Sequence, residues 1–113
     1  MATAALPLNT FRTKPYELTT NEQTIYTTPA GITTIVLGAQ ASNFGTVAAT
    51  ITFTLRKNDV DYVMLKEFAI PTNDSAEITT GKLVIEEGAS VKAVVSVNST
   101  INLVMSVLET SNE

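Results

Sequence analysis

The chain has 113 residues, a formal net charge of −4, and no cysteine or histidine. This composition excludes thiol and imidazole nucleophiles, disulfides, and the zinc and iron sites that need those ligands. The acidic balance argues against a nucleic-acid partner, because nucleic-acid-binding surfaces are basic. Threonine, valine and isoleucine occur 19, 11 and 8 times, and these β-branched residues pack well in strands. A single all-β domain is therefore predicted.

Residues 1–15 have no hydrophobic period, and we expect them to form an extended N-terminal arm. Fully extended, such a segment reaches about 50 Å, well beyond the radius of about 13 Å expected for a domain of this size. The arm is therefore long enough to lie on a neighbouring molecule, and the alternative is a frayed terminus. The candidate partner-binding residues are Leu6, Leu8, Phe11 and Arg12.

The N-terminal sequence lacks the features of a secretory signal. No lysine or arginine precedes Arg12, and Pro7 interrupts the apolar residues, whereas a signal peptide needs a basic region followed by an apolar one. No apolar run approaches the roughly 18 residues of a transmembrane helix. We expect a soluble protein that is made in a cytoplasm and has no membrane partner.

A β-domain is expected to span residues 16–110, followed by a polar tail at 111–113. It begins with short predicted strands at 16–20 and 23–28. The residues Pro-Ala-Gly at 29–31 then predict a turn, because proline presets one backbone angle and glycine permits positive φ.

Two longer strands are predicted next, at 32–43 and 47–56. Alternate residues share a face of a strand, so the first strand is predicted to bury its odd-numbered residues Ile35, Leu37, Ala39 and Ala41. The second has the clearest alternation in the chain. Its predicted buried face comprises Val47, Ala49, Ile51, Phe53 and Leu55, and threonines dominate its other face.

Turn residues divide the rest of the chain into further strands. Asn58-Asp59-Val60-Asp61 predicts a hairpin turn. The strands predicted after it lie at 62–70, 76–80, 82–85, 90–97 and 100–109. The last strand carries Val104 and Leu108 opposite its main apolar face, so we expect it to be covered on both sides.

About eight strands with frequent turn signals and no helical period are typical of an antiparallel β-sandwich. Jelly-roll and immunoglobulin-like arrangements both fit this pattern, and the strand order does not follow from it. The strands at 35–41 and 101–108 are long, apolar and nearly uncharged. Such strands promote aggregation at an exposed sheet edge, so we expect them inside the sandwich or against another subunit. They predict self-association.

No residue pattern is typical of an active site. Two carboxylate pairs, Asp59 with Asp61 and Glu86 with Glu87, lie in predicted turns, where acidic residues are common for structural reasons. A metal site in the loop at 58–61 is a weaker alternative, because two carboxylates and one amide do not complete a calcium site. We therefore predict no catalytic residues, no enzymatic activity, no metal and no cofactor.

Four segments between residues 23 and 110 combine turn residues with apolar strands. They are TIYTTPAG at 24–31, AIP at 69–71, GKLVIEEGASVK at 81–92 and VMSVLE at 104–109. Together they resemble small β-sandwich virion structural proteins of tailed bacteriophages, of the type found in marine myoviruses that infect cyanobacteria. The residues before 23 lie outside the resemblance.

The resemblance implies a non-enzymatic structural component of a virion, whose partners are other virion proteins such as capsid or tail subunits. A capsid decoration protein is the leading interpretation, because a small sandwich with an arm can add contacts across subunit joints. A tail, neck or baseplate protein is the alternative. A receptor- or carbohydrate-binding module of a fibre is a third interpretation, but an aromatic content of 6% offers little surface for sugar stacking.

Overall fold

The computed structural model describes residues 9–79 and 81–112, and these residues form nine strands and no helix. In chain order the strands are β1 (Asn9–Glu17), β2 (Gln23–Thr27), β3 (Ile32–Asn43), β4 (Ala49–Lys57), β5 (Val60–Ile70), β6 (Ser75–Glu77), β7 (Leu83–Ile85), β8 (Ser90–Val95) and β9 (Ile101–Ser111). They form two antiparallel sheets, which confirms the predicted β-sandwich. In the described part of the chain, no helix is long and apolar enough to cross a membrane.

The two sheets are assembled from strands that are distant in the chain. Sheet A has the order β1-β9-β3, with β6 and β7 both paired to the other side of β3, and sheet B has the order β2-β8-β4-β5. The last strand is therefore central in sheet A, where it pairs along its length with β1 and with β3. This arrangement places the two ends of the described chain side by side.

The core lies between the sheets and is built from alternate residues of the long strands. On β9 the inward side chains are fully buried: Ile101, Leu103, Met105 and Val107. β4 confirms most of the alternation predicted at 47–56, since Ala49, Ile51 and Phe53 are buried and Leu55 packs against the core. The prediction that Val47 is buried is wrong, because β4 begins two residues later and Val47 lies exposed in the preceding bend.

The predicted buried face of β3 changes phase in the middle of the strand. Val36 is fully buried, Leu37 is 38% exposed, and burial resumes at Ala39 and Ala41. The pairing with β9 shifts between Val36 and Gly38, so that Leu37 is an extra residue at a β-bulge. The prediction that Leu37 is buried with the other odd-numbered residues is therefore wrong, and Ile35, on the same predicted face, is only half-buried.

The segment expected to lack regular structure is partly a strand. Residues 9–15 belong to β1, which pairs with β9 from Asn9–Thr110 to Glu17–Asn102. Residues 9–15 show no hydrophobic period in the sequence because β1 lies at a sheet edge, where much of its surface is exposed. Leu6 and Leu8 lie outside the described residues. The division of the chain into arm, domain and tail stays a prediction.

The second face of β9 is not covered by the described residues of this chain. Val104 is 41% exposed and Leu108 is half-buried. For the described residues of a single molecule, the expectation that this strand is covered on both sides is therefore wrong, because the sandwich has two layers and sheet B covers only the inward face of β9. This leaves apolar side chains on the outside of sheet A.

Candidate subunit interface

A row of apolar side chains crosses the outside of sheet A. Phe11 on β1 pairs with Leu108 on β9, Leu108 pairs with Ile35 on β3, and Ile35 pairs with Val84 on β7. Residues directly opposite each other in an antiparallel pair lie on the same face. Phe11 is 72% exposed and Val84 is 54% exposed, whereas the two middle residues are half-buried. We call these four residues the apolar row.

The remaining outward positions of sheet A are mostly small and uncharged. They are Asn9, Thr13, Pro15 and Glu17 on β1; Thr33, Gly38, Gln40 and Ser42 on β3; Ser75 and Glu77 on β6; and Asn102, Val104, Ser106 and Thr110 on β9. With the apolar row, these positions form the outer face of sheet A. Among the described strand residues of this face, only Glu17 and Glu77 carry a charge.

Glu77 is held against the bulge of β3. Its carboxylate accepts hydrogen bonds from the backbone N–H of Ala39 and from the hydroxyl of Thr79, the latter at 2.9 Å. A Cβ atom at Gly38 would lie 3.2 Å from this carboxylate, so the glycine leaves room for it. The carboxylate thus satisfies a backbone donor that the bulge removes from the regular ladder.

A shallow depression of about 500 Å³ lies at the end of the same face. It is lined by Pro15, Tyr16, Glu17, Phe44, Asn102 and Val104. Phe44 is 52% exposed and directly follows β3, where its backbone N–H donates to the carbonyl of Thr100 at 2.9 Å. Burial raises the pKa of Tyr16 to about 12, so its phenol is neutral at ordinary pH. The depression thus combines apolar and polar side chains at this end of the face.

The outside of sheet B has a different surface. Asp61 accepts from Lys92 and from Arg56, each at 2.8 Å, and Lys92 also pairs with Glu22 at 3.1 Å. Hydrogen bonds from Lys92 and then from Arg56 hold the pKa of Asp61 below its ordinary value. Such exposed ion pairs favour contact with solvent. The outside of sheet B is therefore the more highly charged of the two outer faces, although Val63 is 57% exposed there.

One edge strand of each sheet carries features that oppose strand addition. The edge strand β1 contains Arg12, Lys14 and Pro15, and charged residues and proline discourage pairing with another strand. The edge strand β5 has irregular register with β4, and Glu67 has a positive φ of 49°. Its backbone N–H donates to the hydroxyl of Thr52 at 3.0 Å instead of continuing the ladder. Strand addition is therefore unfavourable at these two edges.

The predicted partner-binding residues have different positions. Phe11 lies in the apolar row, on the surface that is best suited to a partner. Arg12 points to the other side of β1 and pairs with Glu109 at 2.7 Å. Sequence reasoning missed Ile35 and Val84 as members of the row, since its four residues come from four strands whose register the sequence does not show. Besides Phe11, the second-face residues Val104 and Leu108 were the signal of this surface in the sequence.

Glu109 anchors β1 and β2 to the edge of the core. Besides the ion pair with Arg12, its carboxylate accepts a hydrogen bond from the hydroxyl of Tyr26, which is also within 2.8 Å of the hydroxyl of Thr34. Burial acts to raise the pKa of Glu109, but the hydrogen bonds from Tyr26 and Arg12 outweigh it and lower the pKa. Burial and the Glu109 contact raise the pKa of Tyr26 to about 12.

The carboxylates that the sequence analysis considered for chemistry lie on the surface. Asp61 is engaged in the ion pairs of sheet B, and Asp59 is 99% exposed at the hairpin turn. Glu86 binds Lys57, which lowers the pKa of the carboxylate. Within residues 9–79 and 81–112, no three histidine, cysteine, aspartate or glutamate side chains are placed to hold a metal ion.

The comparisons with known proteins identify a shared fold. Neither a protein-family model nor a curated protein sequence matches this chain. A chain in the acidic stable capsid structure of Helicobacter pylori bacteriophage KHP30 is similar with a TM-score of 0.56 and 10% identity, covering 95% of this chain and 90% of that chain. A chain of Bacillus endospore appendages, described as a novel family of disulfide-linked pili, is similar with a TM-score of 0.55 and 12% identity, covering 100% of both chains.

Proposed function

We propose that this chain is a non-enzymatic structural component of a bacteriophage virion, and specifically a capsid decoration protein. The observation that carries the proposal is the contrast between the two outer faces of the sandwich. A broad face with few charges and with exposed apolar residues is suited to contact with another protein, whereas the outside of sheet B is more highly charged. The fold that the chain shares with a chain of a phage capsid structure supports a place in the virion.

The strand order also supports this proposal. The strand orders of the two sheets are β1-β9-β3-β6/β7 and β2-β8-β4-β5. The chain crosses between the sheets as it does in two Greek keys. We therefore assign the sandwich to the jelly-roll arrangement rather than the immunoglobulin-like one. Jelly rolls are common in viral capsid proteins. The sequence resemblance to virion proteins of cyanobacterial myoviruses also supports a structural role in a virion.

The proposed mechanism is reinforcement of an assembled shell. A protein that binds the assembled state and not the free subunits stabilises the assembly by mass action. Leu6 and Leu8 precede β1, so they are positioned in the chain to extend the contact beyond Phe11. Fully extended, the eight residues before β1 reach about 28 Å, which is enough to cross onto an adjacent subunit.

Deletion of residues 2–8 tests the role of the arm. Residues 9–17 must stay, because β1 covers one edge of β9. We expect the deletion and the double variant L6A/L8A to lose most incorporation into particles, measured as copies per particle. The control A4S/A5S alters the same segment without removing a large apolar side chain and is expected to incorporate normally. Normal incorporation of the deletion variant would remove the arm from the mechanism.

The copy number of the protein in an intact particle distinguishes the possible locations. A number comparable with that of the major capsid subunit is expected for decoration of the shell. A number equal to one ring or a few rings of cyclic symmetry would instead place the protein in the tail, neck or baseplate. Clear hits on a glycan array would favour a carbohydrate-binding module of a fibre.

A further inference from the structure

The outer face of sheet A has the self-complementarity that a symmetric contact requires. We propose that this face is a two-fold interface between two copies of this chain, with the symmetry axis running along the strands between β9 and β3. This inference rests on the proposed function for its biological setting and deepens it by naming the occupant of the face. A two-fold contact uses the same surface on both subunits, so that surface must match itself.

The apolar row matches itself under this rotation. Leu108 of one copy faces Ile35 of the second copy, and Phe11 faces Val84 of the second copy. The largest side chain of the row is therefore opposite a smaller one, which allows the two layers to interdigitate. The next positions along the same two strands are Ser106 and Gly38, which also face each other. Their small size permits the separation of about 10 Å between packed sheets.

The charges of the face also allow the contact. Under the same rotation Glu17 faces Ser75 and Glu77 faces Pro15, so no carboxylate lies directly opposite another. Glu17 lies in the last row of the face, where its carboxylate can stay in contact with solvent. No described strand residue of the face is basic, so the contact leaves no cation buried without a partner. The ion pairs of sheet B lie on the opposite side of each copy and stay in solvent.

The area of the face is close to what a stable dimer needs. β9 has 11 residues, which span about 36 Å, and four strand positions spaced about 4.8 Å apart give a width of about 19 Å. The resulting planar area of about 700 Å² per copy approaches the roughly 800 Å² per partner of a standard protein interface. A two-fold axis along the strands and through the middle of the face makes this whole area overlap, and the pairing of Phe11 with Val84 and of Leu108 with Ile35 favours this direction.

A matched pair of variants tests whether this face is used. Val84 is 54% exposed in sheet A, and Val63 is 57% exposed in sheet B. We expect the parent protein and V63D to sediment as dimers at micromolar concentration, and V84D to weaken dimerisation at least about tenfold, since it would bury an unpaired carboxylate. A monomeric parent protein, or equal weakening by both variants, would overturn the proposal. Circular dichroism before sedimentation checks that both variants are folded.

Chemical cross-linking tests the direction of the axis. The chain has no cysteine, so single-cysteine variants react only at the chosen position. With a short bismaleimide, a mixture of F11C and V84C is expected to give cross-linked dimers in much higher yield than either variant alone. T24C on sheet B is expected to give few cross-linked dimers. Efficient cross-linking of F11C to itself would contradict the axis along the strands.

Salt dependence and particle incorporation complete the test. Two copies that each carry a net charge of −4 repel each other, so added salt should strengthen the dimer. Weakening by salt would indicate an ionic interface and overturn the proposal. A monomer that still enters particles would refute this inference alone. A dimer that fails to enter particles would refute only the proposed function.

Discussion

Glu109 shows how single side chains join distant parts of this chain. It lies on the last strand, accepts from Arg12 on the first strand, which is 97 residues away in sequence, and accepts from Tyr26 on the second. A role for Arg12 in binding another protein stays a prediction, and the fold gives its guanidinium a partner within the molecule. Such pairings depend on the approach of the two chain ends and cannot be predicted from local pattern.

The ionised form of Glu109 is expected to stabilise the fold in a pH-dependent way. Its folded-state pKa is lowered from the ordinary value of 4.5, so the stabilisation is fully present above that value and is lost as the pH falls through the lower, folded-state pKa. We expect E109Q to lower the free energy of unfolding by about 1–2 kcal/mol near pH 7, and by less near pH 3. Urea unfolding across this range checks the prediction, and an equal deficit at both pH values would contradict it.

The hairpin turn between β4 and β5 confirms the turn predicted at 58–61. Its two central residues have positive φ, 54° at Asn58 and 62° at Asp59, which is the type I′ turn that suits a two-residue hairpin. Positive φ is unfavourable for residues with a side chain, although asparagine and aspartate tolerate it better than most. The chemistry of these residues was therefore sufficient to predict this part of the fold.

Replacing Asp59 with glycine is expected to stabilise the protein. D59G creates the Asn-Gly pair that type I′ turns prefer and removes only the long 3.7 Å contact with Arg56. We expect the free energy of unfolding to rise by about 0.5 kcal/mol, measured by thermal or urea unfolding. The control D59A retains the strain of positive φ and should be neutral or destabilising. A loss of stability in D59G would show that the ion pair matters more than the strain.

At the scale of elements, the alternation of apolar and polar residues predicted the strand positions well but did not predict the β-bulge in β3. The predicted strand at 32–43 coincides with β3, but its buried face was misassigned around Leu37. A strand exchanges its two faces when one residue is inserted, and a β-bulge is stabilised by its partners, here the carboxylate of Glu77. No local pattern at Leu37 indicates that partner, which lies on another strand.

Adjacent residues of β9 test the assignment of its two faces. Met105 is fully buried and Val104 is 41% exposed. We expect M105A to lower the free energy of unfolding by about 2–4 kcal/mol, because it leaves a cavity in the core, and V104A to lower it by about 0.5 kcal/mol or less. Urea denaturation below the concentration of self-association provides the measurement. Similar losses in the two variants would mean that β9 is covered on both faces even in one molecule.

At the scale of the whole molecule, the last strand completes sheet A. β9 lies between β1 and β3 and contributes four fully buried side chains to the core. A chain that lacks it has two unpaired strands facing an empty position. Folding therefore depends on contacts between the two ends of the chain, which are expected to form slowly compared with those of helical proteins.

Truncation after Thr100 is expected to abolish folding, although it removes only the last strand and the residues after it. Far-UV circular dichroism and size-exclusion chromatography should show an unfolded or aggregated chain. Truncation after Ser111 is the control, because it keeps all of β9. It removes the backbone hydrogen bond from Asn112 to the carbonyl of Gly31 and two exposed side-chain hydrogen bonds of Asn112, with Thr33 and Glu87. A folded product from the shorter chain would contradict the central role of β9.

The amino-acid sequence by itself determined the class of fold, most strand positions and the turns. These features depend on interactions between near neighbours, such as alternation at Ala49, Ile51 and Phe53 or the turn chemistry of Asn58 and Asp59. Only the tertiary structure decided the strand order, the partner of Arg12 and the apolar row. Those features depend on register between strands that are far apart in the chain, and register is set by the packing of the whole core rather than by any local segment.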